Sequence, residues 1–246
     1  CTEKCLLFNT FENRFVFYLK GYRDKKELTE FCEDVADTLE SLLTGERVGG
    51  GIGVLEINED NQQDVDQLLK KLLIASEKAT DINSTNFDIC FYDAKMEAEI
   101  RREEDIKQEL AQIVEEANHG GLFLQYQPIL DLKSNQVCGF EALARIKSSK
   151  YGLIPPLEFI PISEKTNLII PLGRKVMLQA FRFLKKLGDN GYGTLKVSIN
   201  VSVIQLLKDD FCRHLFEMIE QTKVSPENIS LEITESVFSS NYQEIN

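Results

Sequence analysis

The chain has 246 residues, and its 28 basic and 40 acidic side chains give a formal net charge of −12. A chain this acidic lacks the basic stripe that neutralises phosphates, which excludes binding to long nucleic acid. Its 43% hydrophobic and 28% charged residues are typical of a folded globular protein, and no apolar run reaches the ~20 residues of a membrane-spanning helix.

The cysteines are scattered and form no CxxC pair, so they predict reduced thiols in a cytoplasmic protein rather than a metal or disulfide site. Only two histidines occur, His119 and His214, which argues against a zinc site built from histidine and cysteine. Because the sequence opens on Cys1, we expect a segment of a longer protein, in which any membrane tether lies outside these residues. The cysteines are at positions 1, 5, 32, 90, 138 and 212.

The first hundred residues alternate between strand-like and helix-like apolar patterns. The order strand, helix, strand, helix, strand predicts a small α+β unit. Its middle strand begins with Gly49, Gly50 and Gly51, which admit two interpretations, a phosphate loop or a closely packed strand. The lysine of a phosphate loop is missing, so we favour close packing. The predicted ranges are 11–20, 25–43, 49–55, 64–78 and 87–92.

A highly charged stretch follows at residues 95–116. Its apolar side chains are spaced for one narrow helix edge, which predicts a solvated helix that connects two domains. These side chains are Ile100, Ile106, Leu110 and Ile113.

The rest of the chain alternates again, which predicts a parallel sheet with helical crossovers, as in α/β layer or barrel folds. Active sites in such folds lie at the carboxyl ends of the strands. We predict strands at 122–130, 137–145, 195–201 and 229–235, and helices at 156–166, 170–187 and 203–222.

Three of these strands each carry one oxygen donor at or near the same end, namely Glu141, Asn200 and Glu232. Carboxylate and amide oxygens that converge at the mouth of a sheet favour a hard divalent cation. Two alternatives stay open at this stage: Glu141 could form a structural salt bridge with Arg145, and Asn200 could cap the following helix. Gln127 and Arg145 are further candidates for contacts to an anionic ligand.

The motifs in this half resemble those of the EAL domain family. They are Leu124-Gln-Tyr-Gln-Pro-Ile-Leu-Asp131, Gly139-Phe-Glu-Ala-Leu-Ala-Arg145, Ile154-Pro-Pro-Leu-Glu-Phe-Ile-Pro161, Ser198-Ile-Asn-Val-Ser202 and Leu231-Glu-Ile-Thr-Glu-Ser236. The resemblance implies hydrolysis of cyclic di-GMP to the linear dinucleotide with Mg²⁺ or Mn²⁺. It also implies a modified TIM barrel, present here as its N-terminal part at residues 122–246, whose first strand is antiparallel to the rest.

The same resemblance assigns roles to individual residues. Glu141, Asn200 and Glu232 match the family's metal ligands, and Glu141 and Glu232 are also expected to act in catalysis. The positions that line the cyclic dinucleotide are matched by Gln127, Leu143 and Arg145. Further family residues, a pair of aspartates, a lysine, a glutamate and a glutamine, would follow Asn246. The resemblance therefore implies that these 246 residues alone are inactive.

Residues 1–98 are similar to the C-terminal half of a GGDEF domain, a diguanylate cyclase fold of the α+β class, and residues 99–121 would link it to the EAL-like part. The signature aligns with Phe11–Phe15, where Phe11 and Glu12 replace the two glycines and Asn13 and Arg14 replace the metal-binding acids. This degeneracy argues against cyclase activity and favours a regulatory or dimerising role.

Two functions follow from the resemblance. A phosphodiesterase regulated by the degenerate domain is favoured by the complete set of Glu141, Asn200 and Glu232. A non-catalytic receptor for cyclic di-GMP is the alternative. An incomplete barrel would leave strand edges unpaired, so we expect either pairing with a second copy, as a homodimer, or continuation into a longer chain.

Overall fold

A computed structural model describes residues 5–11, 14–42, 49–57, 64–80, 86–116 and 120–233 of the chain. The chain divides into two compact units, Cys1–Ile100 and Arg101–Asn246. Both units combine helices with strands, which confirms a mixed α/β structure. Among the residues described, none of the helices combines the length and the apolar character needed to cross a bilayer.

The first unit contains two small sheets. Strands β1 (Cys5–Phe11) and β2 (Arg14–Leu19) form an antiparallel hairpin. Strands β3 (Gly50–Val54) and β4 (Phe87–Phe91) pair in parallel. Strand β1 was not predicted from the sequence, and residues 12 and 13 of the proposed signature lie outside the described residues.

The helices of the first unit follow the predicted order. Helix α1 is Lys25–Leu42, and helix α2, Val65–Ala79, is the crossover that parallel pairing of β3 with β4 requires. A side chain at Gly51 or Gly53 would overlap the backbone of α2, so the glycines let strand and helix approach closely. The interpretation as a packing residue is thus confirmed for Gly51 of the predicted glycine run.

The second unit is built on a five-stranded sheet in the order β5-β6-β8-β9, with β7 paired to β6. Strand β5 is antiparallel to β6, while β6, β8 and β9 are parallel to one another. The bounds are β5 Leu122–Asp131, β6 Gln136–Ser148, β7 Gly152–Ile154, β8 Lys196–Val201 and β9 Ile229–Ile233. The part of the last strand predicted beyond Ile233 lies outside the described residues.

Helices cover one face of this sheet. Helix α4 (Pro156–Lys165) begins with Pro156 in its first turn. Helix α5 (Ile169–Asp189) is 21 residues long. Their apolar side chains pack with those of the strands in one core, which includes Phe159, Phe181 and Ile199.

The charged stretch forms helix α3, Ala94–Glu115, as predicted, but the second half of this helix is not a solvated connector. Ile106, Leu110 and Ile113 are fully buried and belong to the core of the second unit. The prediction was wrong on this point, because even a narrow row of apolar side chains anchors a helix when that row packs into the core formed by the sheet and its helices.

The predicted helix at 203–222 is also corrected. It consists of a short helix α6, Val203–Leu206, and a separate helix α7, Phe211–Thr222. The helical structure is interrupted between them. Here the carboxylate of Asp210 accepts a hydrogen bond from Arg174 Nη2 at 2.9 Å. Asp210 therefore stands at the N-cap position of α7 and not within a continuous helix.

Candidate functional site

The face of the sheet opposite the helices carries the candidate residues. Side chains alternate between the two faces of a strand, and residues in register on parallel strands share a face. Glu141 of β6 is in register with Ser198 of β8, and Asn200 lies two residues further on. Asn200 is in register with Glu232 of β9. The side chains of Glu141, Asn200 and Glu232 therefore project from the same face on three neighbouring strands.

Two of the three are in direct contact. Asn200 Nδ2 donates a hydrogen bond to Glu141 Oε1 at 2.8 Å. Glu141 is half-buried and Asn200 is exposed. Glu141 is thus paired with the amide of Asn200, and Arg145 donates to Gln125. These contacts argue against the alternative of a Glu141–Arg145 salt bridge.

Asn200 is not a helix cap either. It is the penultimate residue of β8, and Ser202 occupies the N-cap position of α6. The strand ends directly after the site, so Asn200 stands at the carboxyl edge of the sheet. Glu232, the penultimate residue of β9, is exposed at the same level.

The predicted ligand-contacting residues lie on the same face. Gln127 of β5 is directly opposite Glu141, and Leu143 is opposite Gln125. Arg145 is directed towards β5: its Nε donates to Gln125 Oε1 at 2.8 Å and its Nη1 to the carbonyl oxygen of Ala144 at 2.9 Å. Two of the three guanidinium nitrogens thus donate hydrogen bonds, which keep the positive charge of Arg145 beside strands β5 and β6.

The opposite face is apolar and fixes the strands that carry the site. Tyr126, next to Gln127, stacks on Phe183 of α5 with ring centroids 3.6 Å apart. Burial raises the pKa of the Tyr126 phenol to about 12, because the protein interior disfavours the phenolate. Polar and apolar side chains thus alternate from one residue to the next at Gln125, Tyr126 and Gln127 of β5.

The donor set fits a hard divalent cation. The side chains of Glu141 and Glu232 end in carboxylates. The amide of Asn200 donates to Glu141 through its nitrogen, so its oxygen is not used in that hydrogen bond. Mg²⁺ is commonly held by one or two carboxylates, waters and substrate phosphates. Within the described part of the chain, no group of three or more histidine, cysteine or acidic side chains is placed to hold a metal.

Sequence reasoning missed the residues behind the site. Gln125 accepts a hydrogen bond from Arg145. Ser202 and Gln205 connect the end of β8 to the helices. A signal for the second pair was present, because Ser-x-x-Gln at the start of a helix is the capping-box pattern. Nothing in the sequence distinguishes Gln125 as the partner of Arg145 before the strand register is known.

Comparison with known proteins identifies the family to which the second half of the chain is similar. The sequence model of the EAL domain family matches residues 110–246. The chain is 37% identical over 115 residues to the cyclic di-GMP phosphodiesterase PdeR of Escherichia coli, covering 47% of this chain and 17% of PdeR. It is 29% identical over 147 residues to the bifunctional diguanylate cyclase/cyclic di-GMP phosphodiesterase MucR of Pseudomonas aeruginosa, covering 60% of this chain and 21% of MucR.

A solved structure described as the PaMucR phosphodiesterase in complex with c-di-GMP is similar, with a TM-score of 0.51 and 28% identity. The match covers 56% of this chain and 55% of the other. The chain spans about a quarter or less of the first curated relatives that it matches, at 26%, 26% and 18% of their lengths.

Proposed function

The chain belongs to the EAL domain family, and from this membership we propose that it serves cyclic di-GMP signalling as part of a metal-dependent phosphodiesterase. The reaction is hydrolysis of cyclic di-GMP to the linear dinucleotide, carried out in the cytoplasm by the protein to which the chain belongs. The ligand named for the similar PaMucR structure supports this choice of substrate.

One observation carries the proposal. Glu141, Asn200 and Glu232 share one face of three adjacent strands, and the first two are joined by the 2.8 Å hydrogen bond. A structural role alone does not require two carboxylates on an exposed sheet face next to an amide oxygen. An oxygen-only set of this kind suits Mg²⁺ or Mn²⁺.

Each residue has a proposed role. Glu141, Asn200 and Glu232 hold the cation. When bound, the cation lowers the pKa of its water, neutralises phosphoryl oxygens and supports the leaving 3′-oxygen. Gln127 and Leu143 line the dinucleotide, and Arg145 presents its guanidinium to a phosphate.

Arg145 and Gln125 form the orienting pair of this site. The bond from Nε to Gln125 Oε1 fixes the plane of the guanidinium, which leaves less conformational entropy to lose when a phosphate binds. Leu143 lies between Arg145 and Glu141 on the same face and offers an apolar surface for a guanine base.

We also propose that the 246 residues alone do not turn over substrate. Within the described sheet, β5 and β9 each pair on one side only. Such unpaired edges would leave the site exposed to water, where the electrostatic interactions that catalysis requires are weaker. Pairing of two copies along such an edge, or further chain, would close it.

A second candidate function is a non-catalytic receptor for cyclic di-GMP. The observation in its favour is that Gln127, Leu143 and Arg145 lie on one face of β5 and β6, where they can contact a dinucleotide whether or not a cation is bound. A receptor binds the dinucleotide through Gln127, Leu143 and Arg145 and needs no bound water for attack.

For the first unit we propose a regulatory role. Residues 1–98 would be a degenerate GGDEF-like domain without cyclase activity, which dimerises or responds to a signal, and residues 99–121 would join it to the EAL-like domain of residues 122–246. The strand, helix, strand order of β3, α2 and β4 supports an α+β domain of this general kind.

The test measures conversion of cyclic di-GMP to linear dinucleotide by ion-pair chromatography, with Mg²⁺ or Mn²⁺, for the complete protein and for the 246 residues. Glu141→Gln removes the charge of one carboxylate with little change of shape, and Glu227→Gln, on an exposed turn, is the matched control. We expect loss of hydrolysis only for Glu141→Gln. Tight binding with no hydrolysis by the complete protein would favour the receptor instead.

A further inference from the structure

A small polar cluster lies behind the candidate site, buried under the end of β8. Ser202 is 6% exposed and Gln205 is 4% exposed. Ser202 Oγ donates to Glu164 Oε1 at 2.6 Å, and the backbone nitrogen of Ser202 donates to Gln205 Oε1 at 3.1 Å. Burial of polar groups is costly unless they are paired, and here each of these groups has a partner.

The cluster joins three elements at one point. Ser202 follows β8 directly and stands two residues after Asn200. Glu164 is in the last turn of α4, and Gln205 is in α6. The end of the strand that carries Asn200 is therefore bonded to α4 through Glu164 and to α6 through the capping pair of Ser202 and Gln205, and not only to the sheet.

Gln205 is itself held in one position. A side chain at Gly173 of α5 would overlap the Gln205 side-chain nitrogen, so Gln205 occupies space that only glycine leaves free. The Gln205 amide therefore lies close to the backbone of α5, while its oxygen accepts the hydrogen bond from the Ser202 backbone nitrogen.

We infer that Ser202 is a positioning residue of the candidate site: through Glu164 and Gln205 it fixes the end of β8 and so sets where Asn200 meets Glu141. A hydroxyl that donates to a carboxylate is a strong, charge-assisted bond, and 2.6 Å is a distance typical of it. Ligand sites depend on placement within about 0.5 Å, which supporting residues provide.

The cation in this inference rests on the proposed function, whereas the placement of Asn200 does not. The experiment therefore has one measurement for each. In the metal-free, ¹⁵N-labelled 246-residue chain, NMR follows the side-chain amide resonance of Asn200, identified by its loss in Asn200→Ala. Separately, electron paramagnetic resonance of free Mn²⁺ measures metal affinity.

Ser202→Ala is the main variant. We expect it to shift the Asn200 amide resonance, to speed exchange of that amide with water, and to weaken Mn²⁺ binding about tenfold, as for other residues that orient metal ligands. The matched control is Ser163→Ala. Ser163 is also buried in α4, but its hydroxyl bonds Ile160 of the same helix at 2.7 Å. The control should leave the Asn200 resonance and the Mn²⁺ affinity unchanged.

The outcomes separate the two levels of the proposal. If Ser202→Ala moves the Asn200 resonance no more than Ser163→Ala does, the positioning role is overturned. If it moves that resonance while the wild-type chain binds no Mn²⁺, the positioning role stands and the proposed metal site fails. Should Ser202→Ala not fold, Glu164→Gln takes its place, since it keeps the acceptor oxygen and removes the charge. A smaller shift in the same direction supports the inference, and no shift overturns it.

Discussion

Asn200 Nδ2 donates to Glu141 Oε1 across the β6–β8 boundary at 2.8 Å, so the amide oxygen of Asn200 and the second oxygen of Glu141 remain available to a cation. The contact fixes the two side chains relative to each other, because the amide nitrogen donates directly to the carboxylate oxygen. It also means that the two side chains should respond as a unit to substitution.

Asn200→Asp tests this pairing. The substitution replaces a hydrogen-bond donor by a second carboxylate of nearly the same shape, so two negative charges meet where an attractive contact was. We expect the metal-free variant to lose about 1 kcal/mol of unfolding free energy, a modest value because Asn200 is exposed. Added Mn²⁺ should restore most of that loss, as measured by urea unfolding.

Asn200→Ala is the control for this experiment, since it removes the bond without adding charge. It should be less destabilised than Asn200→Asp without metal and should gain less from Mn²⁺. Equal responses of both variants to Mn²⁺ would contradict a cation site at this pair.

Arg145→Lys tests the orienting pair with Gln125. Lysine keeps the charge but cannot donate from a planar fork, so it loses both the Gln125 contact and the contact to the Ala144 carbonyl. We expect the dissociation constant for cyclic di-GMP to rise about tenfold, which corresponds to one charge-assisted bond of about 1.4 kcal/mol. Isothermal titration calorimetry of the complete protein would measure it.

The matched control is Arg213→Lys, on the exposed surface of α7. That change should leave the dissociation constant within a factor of two. A comparable loss of affinity in both variants would mean that net charge, and not the orientation of Arg145, governs binding.

Tyr126 provides a prediction about alkaline pH. Burial raises its pKa to about 12, whereas a phenol in the unfolded chain titrates near 10. The folded state therefore keeps its proton where the unfolded state gives it up. The stability that this difference represents is fully present below about pH 10 and is lost as the pH rises to about 12.

The measurement is absorbance at 295 nm during alkaline titration of the folded chain. Tyr126→Phe should remove one late-titrating phenol near pH 12, while Tyr192→Phe, at an exposed position, should leave that late step in place. The urea midpoint of the wild type should also fall more steeply between pH 10 and 12 than that of Tyr126→Phe. Identical titrations for the two variants would contradict burial of Tyr126.

The sequence was sufficient to predict that the candidate residues lie at or near the same end of parallel strands. Period-two alternation also puts Asn200 and Ser198 on one side of β8. That this side is shared with Glu141 and Glu232 follows from the strand register, which the sequence alone does not give. The roles of these residues as ligands remain predictions.

Contacts between distant residues could not be predicted in this way. The apolar spacing through 203–222 is compatible with one helix, whereas the structure divides it into α6 and α7, with Asp210 bonded to Arg174 where α7 begins. In the same way, the choice of Gln125 and not Glu141 as the partner of Arg145 depends on strand register. Spacing identifies which residues can meet, but packing selects those that do.

Leu110 of helix α3 tests the correction made to the charged stretch. It is fully buried, with Ile106 and Ile113, in the core of the second unit. Leu110→Ala should therefore cost about 2–5 kcal/mol of unfolding free energy, because it removes buried surface and leaves a cavity. Leu132→Ala, at a turn position that is 90% exposed, is the matched control and should change it by less than about 0.5 kcal/mol. Urea unfolding followed by circular dichroism distinguishes the two interpretations of this helix, since a solvated connector would tolerate both substitutions equally.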